Sequence, residues 1–319
     1  MNMHTFQAMS TEFRTIGLSA HSQRQAESWF SFIEKSLSRF RESSELSALN
    51  RSEGRPFLAS ALLYQATSVA DRYFRETGGL FNPYVGRALV ASGYSDSLES
   101  AKRTAHVANN AAAVPGTPEE PAELDRRMMG IRLHPDVSLD LGGIAKGWSA
   151  EQLAGMLQRE GVRVGAIDAG GDLALWGTPE GGWEIAIGDP FAEERELAHL
   201  RLKRSAGIAT SSVMKRRWGA AGSERHHLID PRTMKPADTD LAQVTVLAPT
   251  LTEAEVYAKC LLLLGAEVGM AWLEARKPAF GYVAVGRDGQ VFRGGALADY
   301  EDADERTGRG GTVNHAAAI

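Results

Sequence analysis

From about residue 128 the chain repeats one local grammar, in which a short apolar run ends at a glycine pair and a helical pattern or another apolar run follows. The alternation in 136-DVSLDL-141 predicts a strand. Gly142-Gly143 then turn the chain, and residues 144 to about 159 carry Ala150, Leu153, Ala154, Met156 and Leu157 at helical spacing. Further strands are expected at 163–168, 173–177, 182–190, 198–205, 225–230 and 242–248. A capped helix is expected at 251–264, because Thr250 and Glu253 stand in the relation of a capping box. The run 281–292 reads as a hairpin.

The first half has fewer strands. Residues 3–18 alternate loosely and break near Met9-Ser10-Thr11, which suits one or two strands. Residues 22–40 and 60–77 repeat apolar side chains every three and four positions, the pattern of amphipathic helices. Gly78-Gly79 stops the second of them. The loop 41–54 is rich in Ser and Glu, and 113-AVPGTPEEPAELD-125 reads as an exposed excursion. Such a chain predicts a mixed α+β fold, with mixed sheets and packed helices. Residues 1–300 form one unit, or two intertwined subdomains, and a disordered tail is expected from 301 to 319.

Composition narrows the function. A chain of 319 residues, 43% of them hydrophobic, can bury a sizeable core. Its net charge of −5 and the lack of a sustained Lys/Arg patch argue against a nucleic-acid partner. The single Cys260 lies in an apolar run, so neither an intrachain disulfide nor a cysteine metal site is expected. The N-terminal residues lack a basic segment followed by an apolar one, and no run is long enough for a bilayer. A cytoplasmic location without membrane insertion is the expectation.

Five clusters carry possible chemistry. In 140-DLGGIAKG-147, glycines at a helix start leave backbone N–H groups open to an anion, and Lys146 is near enough to reach a phosphate. The same residues equally suit a tight turn with a solvated lysine. In 168-DAGGD-172, Asp168 and Asp172 either flank a ligand or satisfy turn amides. Thr210, Ser211 and Ser212 are donors for a phosphate or ring carbonyl, or simply local caps. His226 and His227 are adjacent, so strand alternation sends at most one into a given pocket. Glu255 and Lys259 are four apart on one helix and suit an ordinary ion pair.

Taken together these clusters resemble the FAD:protein FMN transferase family, also called the ApbE family, from about residue 5 to 295. The similarity is carried in order by MSTEF near residue 9, SELSALN at 44–50, FNPYVG at 81–86, DLGGIAKG at 140–147, DAGGD at 168–172, ATSS at 209–212 and HLIDPRT at 227–233. The resemblance implies binding of FAD and transfer of its FMN half to a Thr or Ser hydroxyl of an acceptor flavoprotein with an FMN-binding domain. AMP leaves and Mg²⁺ assists. By the same resemblance, Met9, Ser47, Asn50, Gly142, Gly143, Lys146, Asp168, Thr210, Ser211 and Lys259 fall in the flavin-binding set. Thr210 and Ser211 are implied to sit in a binding turn, His227 to deprotonate the acceptor hydroxyl and Lys146 to act beside the phosphates.

Where the family's last motif has metal-holding Asp and Thr, this chain has Glu255 and Lys259. An ammonium has no lone pair to offer a metal. Three arrangements follow: Mg²⁺ held by Glu255, a carbonyl around Ala145 and water; Lys259 neutralising the pyrophosphate itself; or a protein that binds FAD without transferring it, or hydrolyses it to FMN and AMP.

Overall fold

The computed structural model describes residues 1–94, 114–192, 194–215, 217–218 and 225–301. The tail expected from 301 onward lies outside the described residues after Glu301. The fold is mixed α+β, as expected. Its centre is an eight-stranded antiparallel sheet with the spatial order Met3–Ala8, Thr11–Ile16, Gly165–Ala169, Leu173–Trp176, Ala206–Ser212, Leu241–Ala248, Gly281–Gly286 and Val291–Gly295. The N-terminal hairpin therefore pairs with strand residues 166–169, far along the chain.

Both faces of this sheet are covered. On one, Ala209, Val244, Val246 and Ala248 pack with the helices Ala20–Leu37, Ala145–Arg159 and Leu251–Leu264. On the other, Ile208, Leu247 and Val283 pack with the hairpin Trp183–Gly188 and Glu196–Leu202. Neighbouring residues of a strand point to opposite faces, so Val246 and Leu247 enter different cores. Double coverage explains why all of Leu241–Ala248 is buried, the polar Gln243 and Thr245 included.

Most predicted elements form within a few residues. The Leu251–Leu264 helix starts at Thr250, whose side chain accepts from the Glu253 N–H, and stops at Gly265 with φ of 82°. Other expectations need correction. Residues 136–141 form no strand, although Val137, Leu139 and Leu141 are buried in alternation. Their backbone is satisfied elsewhere: the Asn50 side chain donates to the Leu139 carbonyl at 2.9 Å and accepts its N–H at 2.7 Å. The Asp140 N–H donates to the Pro83 carbonyl at 2.7 Å. Within the loop 41–54 a short helix, Glu45–Asn50, is capped by Ser44. The end of the 113–125 excursion, Ala122–Asp125, pairs with Gly130–Leu133. The helix Ala266–Arg276 has no counterpart in the sequence reading; only Gly269 and Leu273 of it are buried.

Candidate active site

The sheet leaves a notch where Leu173–Trp176 begins. That strand pairs with Ala206, Gly207 and Ile208, and beyond Ile208 the edge of Ala206–Ser212 has lost its neighbour. The Thr210 N–H at this edge donates instead to Asp172 Oδ1 at 3.0 Å. Across the strand, the Thr210 and Thr245 hydroxyls lie 2.9 Å apart. Thr210 and Ser211 thus belong to a sheet strand rather than a turn, a correction to their expected setting. A cleft of about 740 Å³ opens here, within the range of small-ligand sites.

The deep wall comes from two helices. Lys146 lies in the first turn of Ala145–Arg159 and its ammonium pairs with Asp172 and, at 3.5 Å, with Glu255. Glu255 Oε2 also accepts the Gly147 N–H at 2.9 Å. A Cβ at position 147 would meet that oxygen at 2.8 Å, so glycine lets the two helices approach. Lys259, one turn beyond Glu255, donates to the Gly143 carbonyl at 2.9 Å. A Cβ at Gly143 would meet the Lys259 Nζ at 3.1 Å, and one at Gly142 would meet Asp140 at 3.0 Å. The glycine pair therefore makes room for protein groups. Glu255 and Lys259 do not form the expected ion pair; each turns to a different partner. Burial pushes the Lys259 ammonium below its ordinary pKa, Glu255 opposes the shift, and Lys146 adds to it.

The outer wall is made of loops and the last turn of the helix Ala20–Leu37. Met9 and Ser10, at the tip of the first hairpin, have φ of 50° and 60°, a region costly for side-chain-bearing residues. The Met9 N–H donates to Glu34 Oε2 at 2.8 Å, and Glu34 also pairs with Arg41. Arg39 pairs with Asp140, donates to the Tyr94 carbonyl at 2.7 Å, and stacks over the Phe40 and Tyr94 rings at 4.2 and 4.9 Å. Sequence reasoning passed over Arg39, Tyr94 and Glu34, since an arginine after a helix carries no distinguishing pattern. Asp172, expected to flank a ligand or to satisfy turn amides, joins Lys146 to Thr210.

The other expected site residues fall as follows. Met9, Gly142, Gly143, Ala145, Lys146, Asp168, Thr210, Ser211, His227, Glu255 and Lys259 all line the cleft. Ser47 and Asn50 do not: Ser47 contacts the Arg39 carbonyl at 3.4 Å and Asn50 holds Leu139, so both brace the segments that do. Asp168 accepts the Gly171 N–H at 2.6 Å; burial raises its pKa, with that bond opposing the rise. The adjacent histidines part, though not by alternation along one strand: the expected strand 225–230 is broken into Arg225–His226 and Ile229–Asp230, and His227 lies between them. His227 lines the cleft, with its ring 6.4 Å from that of Tyr94. His226 is buried, its Nε2 donating to the Ala237 carbonyl at 3.0 Å while Nδ1 accepts the Leu228 N–H. Burial holds its pKa down, which fits a neutral structural ring.

The donor set does not fit the expected Mg²⁺. Among the described residues no group of three His, Cys, Asp or Glu side chains could hold a metal. Glu255 already accepts from Gly147 and Lys146. Ala145 opens a helix and brings a backbone carbonyl but no side-chain donor. No helix of the described residues is long and apolar enough to cross a membrane.

The chain is 28% identical over 249 residues to the FAD:protein FMN transferase of Vibrio cholerae, covering 77% of this chain and 74% of that protein. With the Escherichia coli K12 protein of the same name it shares 30% identity over 161 residues, half of this chain and 45% of the relative. The crystal structure of the ApbE protein from Thermotoga maritima superposes with a TM-score of 0.81 at 23% identity, over 94% of this chain and 99% of that one. The flavin transferase ApbE from Vibrio cholerae gives 0.75, also at 23%, over 94% and 99%. These two structures share the fold. The model of the ApbE family matches residues 3–283, and a match over so much of the sequence means that this chain belongs to the ApbE family.

Proposed function

We propose that this protein is an FAD:protein FMN transferase, moving FMN from FAD to a Thr or Ser hydroxyl of an acceptor flavoprotein. The supporting observation is the convergence of six of the seven family-like segments on one cleft within a family match of residues 3–283. The seventh, SELSALN, braces it from behind through Ser47 and Asn50.

In the proposed reaction the acceptor oxygen attacks the FMN-side phosphorus of the pyrophosphate. The new O–P bond forms as the bond from that phosphorus to the bridging oxygen breaks, and AMP departs with the electron pair. His227 takes the proton of the attacking hydroxyl, which requires the neutral ring. Lys146, held in place by Asp172 and Glu255, faces the charge that develops on the phosphates. Energy for the transfer resides in the FAD anhydride, so no second nucleotide is needed. The unit spans residues 1–300, and the acceptor is a protein carrying an FMN-binding domain.

Incubation with FAD and such a domain tests this. The domain should gain the mass of an FMN phosphoester as equimolar AMP appears. AMP and free FMN without labelled acceptor would identify a hydrolase instead, and unchanged FAD with every acceptor tried would count against both.

A further inference from the structure

The deep wall holds two ammonium groups with different surroundings. Lys146 lies against two carboxylates, Asp172 and Glu255. Lys259 lies 2.9 Å from one neutral carbonyl, that of Gly143, and among the described residues no carboxylate comes within ion-pair distance of it. An ammonium has three N–H donors. A buried cation with one neutral acceptor is costly unless an anion meets it. Lys259 lines the cleft rather than the apolar core, so an anion can reach it from that side. The lowered pKa agrees: burial dominates and Glu255 only partly offsets it.

The alternative source of positive charge is a bound divalent ion, and the donors argue against one. Glu255 is engaged by Gly147 and Lys146, Asp172 by Lys146 and Thr210. A dication would have to displace Lys146 and settle near a second fixed ammonium. Gly143 shows that room is kept for Lys259, since any Cβ there would crowd its Nζ.

We infer that Lys259 is the resident cation of this cleft, receiving a phosphate oxygen of bound FAD so that the protein engages its dinucleotide without a divalent metal. This rests on the proposal that FAD is the substrate and adds how its charge is met. A lysine differs from an exchangeable ion in being always present, so chelators should not remove the activity.

The test uses the full-length native protein. FAD is titrated in while its fluorescence is followed, first with EDTA and then with excess Mg²⁺. The dissociation constant should shift by less than about threefold between the two. Mn²⁺, added alone as a paramagnetic probe, should keep the spectrum of the free ion. The Lys259→Met variant should bind FAD at least about tenfold more weakly. Its ligand-free thermal midpoint should equal or exceed that of the native protein, since a poorly compensated buried charge has gone.

Tightening of FAD binding by about tenfold or more with Mg²⁺ would overturn the inference while leaving FAD as the substrate. Stoichiometric Mn²⁺ binding would do the same. Absence of FAD binding under both conditions would instead sink the functional proposal beneath it. The native metal dependence and the Mn²⁺ spectrum decide the matter even if the variant does not fold.

Discussion

The two walls of the cleft solve different problems. In the deep wall, charge is fixed by regular structure: Asp172 ties a strand edge to a helix, and Glu255 ties one helix to another. In the outer wall, loops and one helix end carry the polar groups, two backbone positions sit in the left-handed region, and the Glu34–Arg41 pair is partly open to solvent. Fixed charge suits a ligand whose phosphates must meet the same geometry in every turnover. A looser rim suits a macromolecule that arrives and leaves. The contrast teaches that one wall anchors its charges through regular structure and the other through backbone-strained, partly exposed segments.

The largest expected effect breaks the deep wall. Asp172→Ala strips Lys146 of its nearest carboxylate and leaves the Thr210 N–H without an acceptor. It should cost on the order of 3–5 kcal/mol by urea denaturation. Glu34→Ala in the outer wall should cost less than about 1 kcal/mol. Similar losses for the two would erase the distinction between the walls.

Next comes His227→Ala. It should slow FMN transfer by about a hundredfold or more while FAD affinity stays near native, measured by single-turnover AMP release beside fluorescence titration. A parallel loss of affinity would move His227 from the acceptor side to ligand holding.

Ser10→Gly should act in the opposite direction. Relief of the φ of 60° is expected to raise stability by up to about 1 kcal/mol, visible as a higher thermal midpoint. A lower midpoint would mean that the Ser10 side chain has a stabilising contact greater than its backbone cost.

The smallest effect concerns acid. Burial would raise the Glu34 pKa, but its bonds to Arg41 and the Met9 N–H outweigh burial and hold it below the ordinary 4.5. Its contribution is therefore present above 4.5 and lost as pH falls through the folded-state value. Glu34→Gln should flatten that limb of the stability profile slightly. An unchanged acid limb would show that the hairpin tip does not depend on the carboxylate.

Much of this was legible in the sequence where local chemistry matches the tertiary outcome. Thr250 and Gly265 mark the ends of one helix because cap and stop act within a few residues. The alternation of Val137, Leu139 and Leu141 told burial truly but not pairing, since the partner of Leu139 is a side chain 89 positions away. Ala266–Arg276 escaped because two buried residues in eleven make no apolar stripe. At the site, the motifs marked the right segments without separating lining from bracing. Asn50 lies in such a motif yet grips Leu139. The identity of Gly143 likewise reads as a turn until Lys259, 116 positions later, is seen against it.

The pairing of Thr11–Ile16 with Gly165–Ala169 also bears on synthesis. The opening hairpin leaves the ribosome long before its sheet neighbour exists, and Lys259 emerges later still. Nascent chains stalled before residue 165 should therefore expose an unpaired strand edge, a hazard in the crowded cell. The wall that carries Lys259 against Gly143 should therefore form well after the hairpin, once residue 259 has emerged.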